Sequence, residues 1–157
     1  MLLVVAESTG SSPGRQGYKM AVGSDGEMIG SIGGGVMEVR LADAAKWKIE
    51  NGKWKIDSEL IEQIHRKEST NASGMICSGT QTVIFKTLNA ENLTTVETII
   101  GALEHHRRDF LLITPSDFRI TPFGSNEVGQ DYNFEKMSDA DYVYEEKLGQ
   151  KNALYII

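Results

Sequence analysis

Residues 19–52 read KMAVGSDGEMIGSIGGGVMEVRLADAAKWKIENG, and the order of signals in this stretch decides the fold class. Two short strand-like runs, residues 19–23 and 27–32, flank Ser24-Asp25-Gly26. An Asp-Gly pair between such runs predicts a hairpin, because glycine tolerates the positive φ that tight turns need. After Gly33-Gly34-Gly35 the period changes. Met37, Leu41, Ala44 and Lys48 fall at helical spacing, with Ala45 widening the stripe, so residues 36–50 are expected to be helical. Asn51-Gly52 is a common way for a helix to end.

Working outward, residues 1–7 form a short apolar run. It lacks the basic flank and small-residue cleavage site of a signal peptide, and reads better as a buried strand. Residues 8–17 have loop composition. Downstream, Asp57 or Ser58 is expected to cap a short helix through Ile64, followed by a polar loop over residues 66–73. Residues 75–88 are strand-like, with β-formers concentrated at 82–86. Thr94-Thr95-Val96-Glu97 has capping-box spacing and opens a helix carrying Val96, Ile99, Ile100 and Leu103. Residues 110–114 and 118–121 are expected strands around Pro115-Ser116-Asp117. Residues 124–141 are polar and non-periodic, like a linker, and 142–144 and 154–157 are two more expected strands. Strands in runs, separated by isolated helices, give an α+β domain with a mixed or antiparallel sheet and a few packing helices. The expected division is one domain over residues 1–123, a linker over 124–141, and the start of a second domain over 142–157.

The chain has 157 residues, enough for one ordinary core. None of its apolar runs approaches the roughly 20 residues that a membrane helix needs, so no membrane partner is expected. A formal charge of −6 counts against nucleic acid, whose binding rests on clustered Lys and Arg. The one basic cluster, His105-His106-Arg107-Arg108, closes a predicted helix, where cations complement the dipole. A single cysteine, Cys77, excludes an internal disulfide and fits a reducing compartment. The expected location is the cytoplasm.

Three glycine-bracketed segments are the candidates for chemistry. In Gly10-Ser11-Ser12-Pro13-Gly14-Arg15-Gln16-Gly17-Tyr18-Lys19-Met20, glycines allow close backbone approach, Ser11 and Ser12 bring hydroxyls, and Arg15 offers a planar fork for an oxyanion. The alternative is a plain surface loop. In Gly30-Ser31-Ile32-Gly33-Gly34-Gly35-Val36-Met37-Glu38, a strand feeds glycines and then a helix, which gathers free amides and the positive dipole end at one point, suited to phosphate. The match is neither G-x-G-x-x-G nor a P-loop. It is equally a tight strand–helix turn with Glu38 in the first helical turn. In Ser73-Gly74-Met75-Ile76-Cys77-Ser78-Gly79-Thr80, Cys77 is either a reactive thiolate or soft ligand, or an inert buried residue. No His or Cys stands at metal-ligand spacing from it, and no catalytic constellation is evident.

Taken together, the three segments resemble the xanthine dehydrogenase accessory factor family, XdhC/CoxI. Its pattern is a Gly-Ser-Ser-Pro loop with Arg and Gly beyond, then Gly-Ser-x-Gly-Gly-Gly-x-x-Glu, then Gly-Met-x-Cys-Gly-Gly. Here these stand in the same order at residues 10–20, 30–38 and 74–79. The resemblance implies a non-catalytic carrier of molybdenum cofactor. Such a carrier supports sulfuration of the cofactor by a cysteine desulfurase and its insertion into the large subunit of a molybdenum hydroxylase. It also implies a cofactor site of Ser11, Ser12, Arg15, Gly33, Gly34, Gly35 and Cys77, with the phosphate at the Gly33–Gly35 amides and Arg15, and Cys77 as ligand or sulfur relay near the metal. Val36 stands where the family often has a second cysteine, and Ser78 replaces a glycine. Family members usually carry a helix before the first strand and a Rossmann-type domain after the linker. The chain is therefore expected to be a piece of a longer protein that associates into a dimer or larger. Two other readings compete: a small oxidoreductase binding a nicotinamide nucleotide, and a purely structural interaction module.

Overall fold

The computed structural model describes residues 1–52, 57–65, 79–122 and 130–149. Its centre is the run Leu3-Val4-Val5-Ala6, fully buried in strand β1 (Leu2–Gly10). A run apolar on both faces must be covered on both faces. Leu3 and Val5 point into one core with Met20, Val22, Ile32, Leu41, Ala45, Val83 and Phe85. Val4 and Ala6 point into a second core with Ile84, Leu111, Ile113, Tyr142 and Tyr144.

The first sheet has β2 (Lys19–Val22) and β3 (Met28–Gly30) on one side of β1. On the other side lie β5 (Gly79–Lys86) and then β4 (Ser58–His65). Its order is β3-β2-β1-β5-β4, and every pairing is antiparallel. Helix α1 (Gly35–Glu50) covers the first core through Leu41, Ala42 and Ala45. The second core is closed by α2 (Leu93–Glu104) and by a second antiparallel sheet. That sheet runs β7 (Phe118–Thr121), β6 (Phe110–Ile113), β9 (Asp141–Lys147), β8 (Tyr132–Ser138). Two helices on two antiparallel sheets make an α+β fold, as the sequence reading expected.

The Asp25-Gly26 hairpin forms between β2 and β3, with Gly26 at φ 83° and the Glu27 N–H donating to Asp25 Oδ1 at 3.0 Å. Helix α1 ends at Asn51, whose N–H donates to the Trp47 carbonyl. Three local expectations differ from the structure. The short helix expected from Asp57 or Ser58 to Ile64 is strand β4. Its Leu60, Ile61 and Ile64 have helical spacing, but eight residues of pairing with β5 override local propensity. The capping box forms one turn before Thr94: the Glu91 N–H donates to Asn89 Oδ1 and the Asn89 N–H to Asn92 Oδ1. Within the expected linker, residues 132–138 form β8, paired with β9 and burying Tyr132 and Phe134 in part. The expected loop at 66–73, the strand start at 75–78, residues 123–129 and the strand at 154–157 lie outside the described residues.

Candidate functional site where the glycine segments meet

The register of β1 on β5 pairs Gly10 with Gly79 and Thr9 with Thr80, whose hydroxyls share a 2.7 Å hydrogen bond. The end of the third segment is thereby laid against the start of the first. A Cβ on Gly79 would overlap the Thr9 carbonyl and stand 2.9 Å from the Ser12 nitrogen and 3.1 Å from that of Ser11. Only a residue without a side chain lets the chain turn here.

Ser12 turns inward and is buried. Its Oγ donates to Gln81 Oε1 at 3.2 Å, and Gln81 Nε2 donates to the Ile32 carbonyl at 2.8 Å. Gln81, itself buried on β5, therefore fastens the first segment to the second. Glycines complete the junction. A Cβ on Gly14 would overlap the Ile32 carbonyl, and one on Gly33 would come 2.7 Å from the Gly14 Cα.

The rest of the first loop is held from two directions. A bulge in β1 between Val5 and Glu7 leaves the Ala6 carbonyl to accept from Gln16 Nε2 at 2.8 Å. Gly17 lies under the Tyr132 ring of β8. Lys19 donates to the Gly17 carbonyl at 2.8 Å and pairs with Glu146 of β9, which also accepts from Tyr144 Oη at 2.9 Å. The side chains of Ser11 and Arg15 stay at the exposed rim.

In the second segment, Gly33, Gly34 and Gly35 all have positive φ, at 129°, 74° and 72°. The turn reverses the strand into α1 and aims its amides back at Glu38. Glu38 Oε2 accepts from Ser31 Oγ at 2.6 Å, the Ile32 N–H at 2.8 Å and the Gly34 N–H at 3.0 Å. Burial pushes this carboxyl up. The hydrogen bonds from Ser31, Gly34, Ile32 and Gly33 outweigh it, so the net shift is downward and the group is ionised. The Gly33 N–H donates to Ser31 Oγ at 3.2 Å. The turn thus already carries an anion of the chain's own, and a phosphate there would meet a carboxylate. Gly34 and Gly35 differ from Gly33 in that nothing among the described residues lies within 4 Å of an added Cβ, so they border open space.

Of the residues expected at a site, the structure brings Ser12 and Gly33 into one junction, with Gly34 and Gly35 following beside open space and Ser11 and Arg15 exposed. Cys77 lies outside the described residues. Among the described residues no group of three or more His, Cys, Asp or Glu could hold a metal ion. No described helix is long and apolar enough to cross a membrane. Sequence reasoning missed Glu38 as a ligand of the turn, and it missed Gln81. Glu38 had a signal, an acidic residue in the first helical turn after exposed amides. Gln81 had a weaker one, a polar residue on an inward position of an otherwise apolar strand.

Two of the segments that meet here fall within a stretch that is similar to a known family. Residues 1–57 match the XdhC and CoxI family. The XdhC and CoxI family is linked to the maturation of molybdenum hydroxylases. The matched residues hold β1, the first loop, the hairpin, the glycine turn and α1, with Gln81 and Gly79 supplied from beyond them. The fold is similar to a crystal structure from Bacillus halodurans described as a xanthine dehydrogenase. The TM-score is 0.61 and the identity 15%, over 94% of this chain and 48% of that one. The chain thus spans about half the length of that protein. No curated protein sequence matches it.

Proposed function

We propose that this chain is a non-catalytic, cytoplasmic accessory protein. It binds molybdenum cofactor, supports its sulfuration by a cysteine desulfurase, and passes it to the large subunit of a xanthine dehydrogenase-like hydroxylase. The observation that carries this reading is the meeting of the glycine segments through Gly14, Gly33, Gly79 and Gln81. A junction built from backbone contacts leaves its rim free for a ligand. The residues suit the cofactor's parts. Glu38 is an acceptor for the N–H groups of a pterin, and exposed Arg15 suits a phosphate better than a turn that already holds a carboxylate. Cys77 is proposed, by family resemblance, as the thiol near the metal. Bound cofactor would supply the metal and dithiolene chemistry that the recipient enzyme uses; this chain's residues bind and shield. We also propose association into a dimer, supported by β3, an edge strand with Met28 and Ile29 exposed.

A nicotinamide nucleotide is less suited to the site, because its pyrophosphate would take the helix N-terminus where Glu38 stands. The test is retention of molybdenum cofactor by the purified chain after desalting, in wild type, Arg15→Glu and Cys77→Ala. Retention by wild type and loss in both variants supports the reading. Equal retention in all three removes the assigned site, and saturable binding of NADH without cofactor retention favours the oxidoreductase.

A further inference from the structure

Gln63 stands on β4 directly opposite Gln81 on β5. Directly opposed residues share a face of the sheet, with Cβ atoms roughly 4.5–5.5 Å apart. Gln81 uses that face to reach Ser12 and Ile32, so Gln63 stands beside the junction of the glycine segments. The two amides differ in one respect. Both polar ends of Gln81 are bonded, whereas Gln63 is 8% exposed and its Oε1 has no hydrogen-bond partner among the described residues. An orphaned buried acceptor is destabilising, and native proteins keep few of them. An alkyl side chain of similar size would avoid that cost.

The fold also says which end of the helix layer Gln63 lies under. Lys48 in the last turn of α1 pairs with Glu59 near the start of β4. The helix therefore begins over the other end of the sheet, where Gln63, Gln81 and the Gly33–Gly35 turn are found. Gly34 and Gly35 border open space on that side. Glu38 contributes an acceptor there, and Gln63 holds an unpartnered one on the neighbouring face of the sheet, so a matching ligand presents donors. A phosphate presents chiefly acceptors at neutral pH.

We propose that Gln63 is a ligand-reading residue of this site, its side-chain carbonyl taking a hydrogen bond from the exocyclic 2-amino group of a bound amino-oxo heterocycle of the pterin class. This rests on the cofactor-binding reading above and adds to it the edge of the ligand that is read and the residue that reads it.

The test compares wild type with Gln63→Leu, and with Gln63→Met as a second variant. The full chain is titrated by fluorescence with pterin and with lumazine, in which an oxo group replaces the 2-amino donor. Wild type should prefer pterin. In both variants pterin affinity should fall about tenfold, the loss of one buried hydrogen bond, while lumazine affinity changes little. The thermal midpoint should stay level or rise, because an orphaned acceptor has been removed. If wild type binds pterin and both variants bind it equally well, the assignment of Gln63 is overturned and the cofactor reading stands. A lowered midpoint with equal losses for both ligands makes Gln63 structural and also overturns the assignment. If wild type binds neither pterin nor cofactor, the cofactor reading fails and takes Gln63 with it.

Discussion

Gly33 lies against Gly14 so closely that a Cβ on Gly33 would stand 2.7 Å from the Gly14 Cα and 2.9 Å from the Pro13 carbonyl carbon. Two segments separated in sequence are thereby joined by backbone, with no side chain able to relieve a clash. Gly33→Ala and Gly14→Ala should each destabilise the fold by about 2–4 kcal/mol, in the range of severe overpacking. Gly34→Ala meets open space, so only its glycine-type backbone at φ 74° and ψ −175° is strained, at a smaller cost of about 1–3 kcal/mol. Urea unfolding of the three variants checks this order; a Gly34→Ala loss as large as that of Gly33→Ala would contradict it.

The Glu38 carboxylate holds the glycine turn, and its downward shift fixes the sign of a pH effect. Its stabilisation is present above the ordinary carboxyl value of 4.5 and is lost as pH falls through the lower folded value. Glu38→Ala should cost about 1–2 kcal/mol at neutral pH, the low side for a partly exposed charge with several hydrogen bonds. The difference between variant and wild type should shrink below pH 4.5. Unfolding free energies measured at neutral and acid pH test both statements, and a difference that grows on acidification would contradict them.

Lys19 and Glu146 tie the first loop to the second sheet, with Glu146 almost wholly buried and Lys19 largely so. Removing one partner leaves a charge stranded in a low dielectric. Lys19→Met or Glu146→Leu alone should cost about 3 kcal/mol, whereas the double variant should recover most of that loss. A double-mutant cycle by thermal unfolding reads the coupling. Additive losses would show that the pair does not hold the sheets together.

Much of the fold was legible where local signals and tertiary demands agree. The Asp25-Gly26 hairpin, the glycine turn into α1, and β6–β7 around Pro115 all formed where sequence placed them. The reading failed where pairing partners decide. Leu60, Ile61 and Ile64 suit a helix in isolation, yet β5 needs a neighbour and residues 58–65 provide it. The polar residues of β8 hid a strand whose partner, β9, lies across a tight turn. At the site, sequence marked the glycines but not what they touch. Gln81 joins the segments through a register that is fixed only when β1 and β5 pair. Glu38 was visible as a helix-start acid, but its capture of the Ile32 and Gly34 amides depends on three successive positive φ angles.

The meeting glycine segments are the proposed binding site for a pterin-based molybdenum cofactor. Native mass spectrometry of the full chain after incubation with molybdenum cofactor and desalting tests it most directly. One cofactor mass per chain in wild type, lost in Arg15→Glu while the unliganded variant still unfolds cooperatively, is the result predicted. Wild type that leaves the column without a bound pterin would contradict the account.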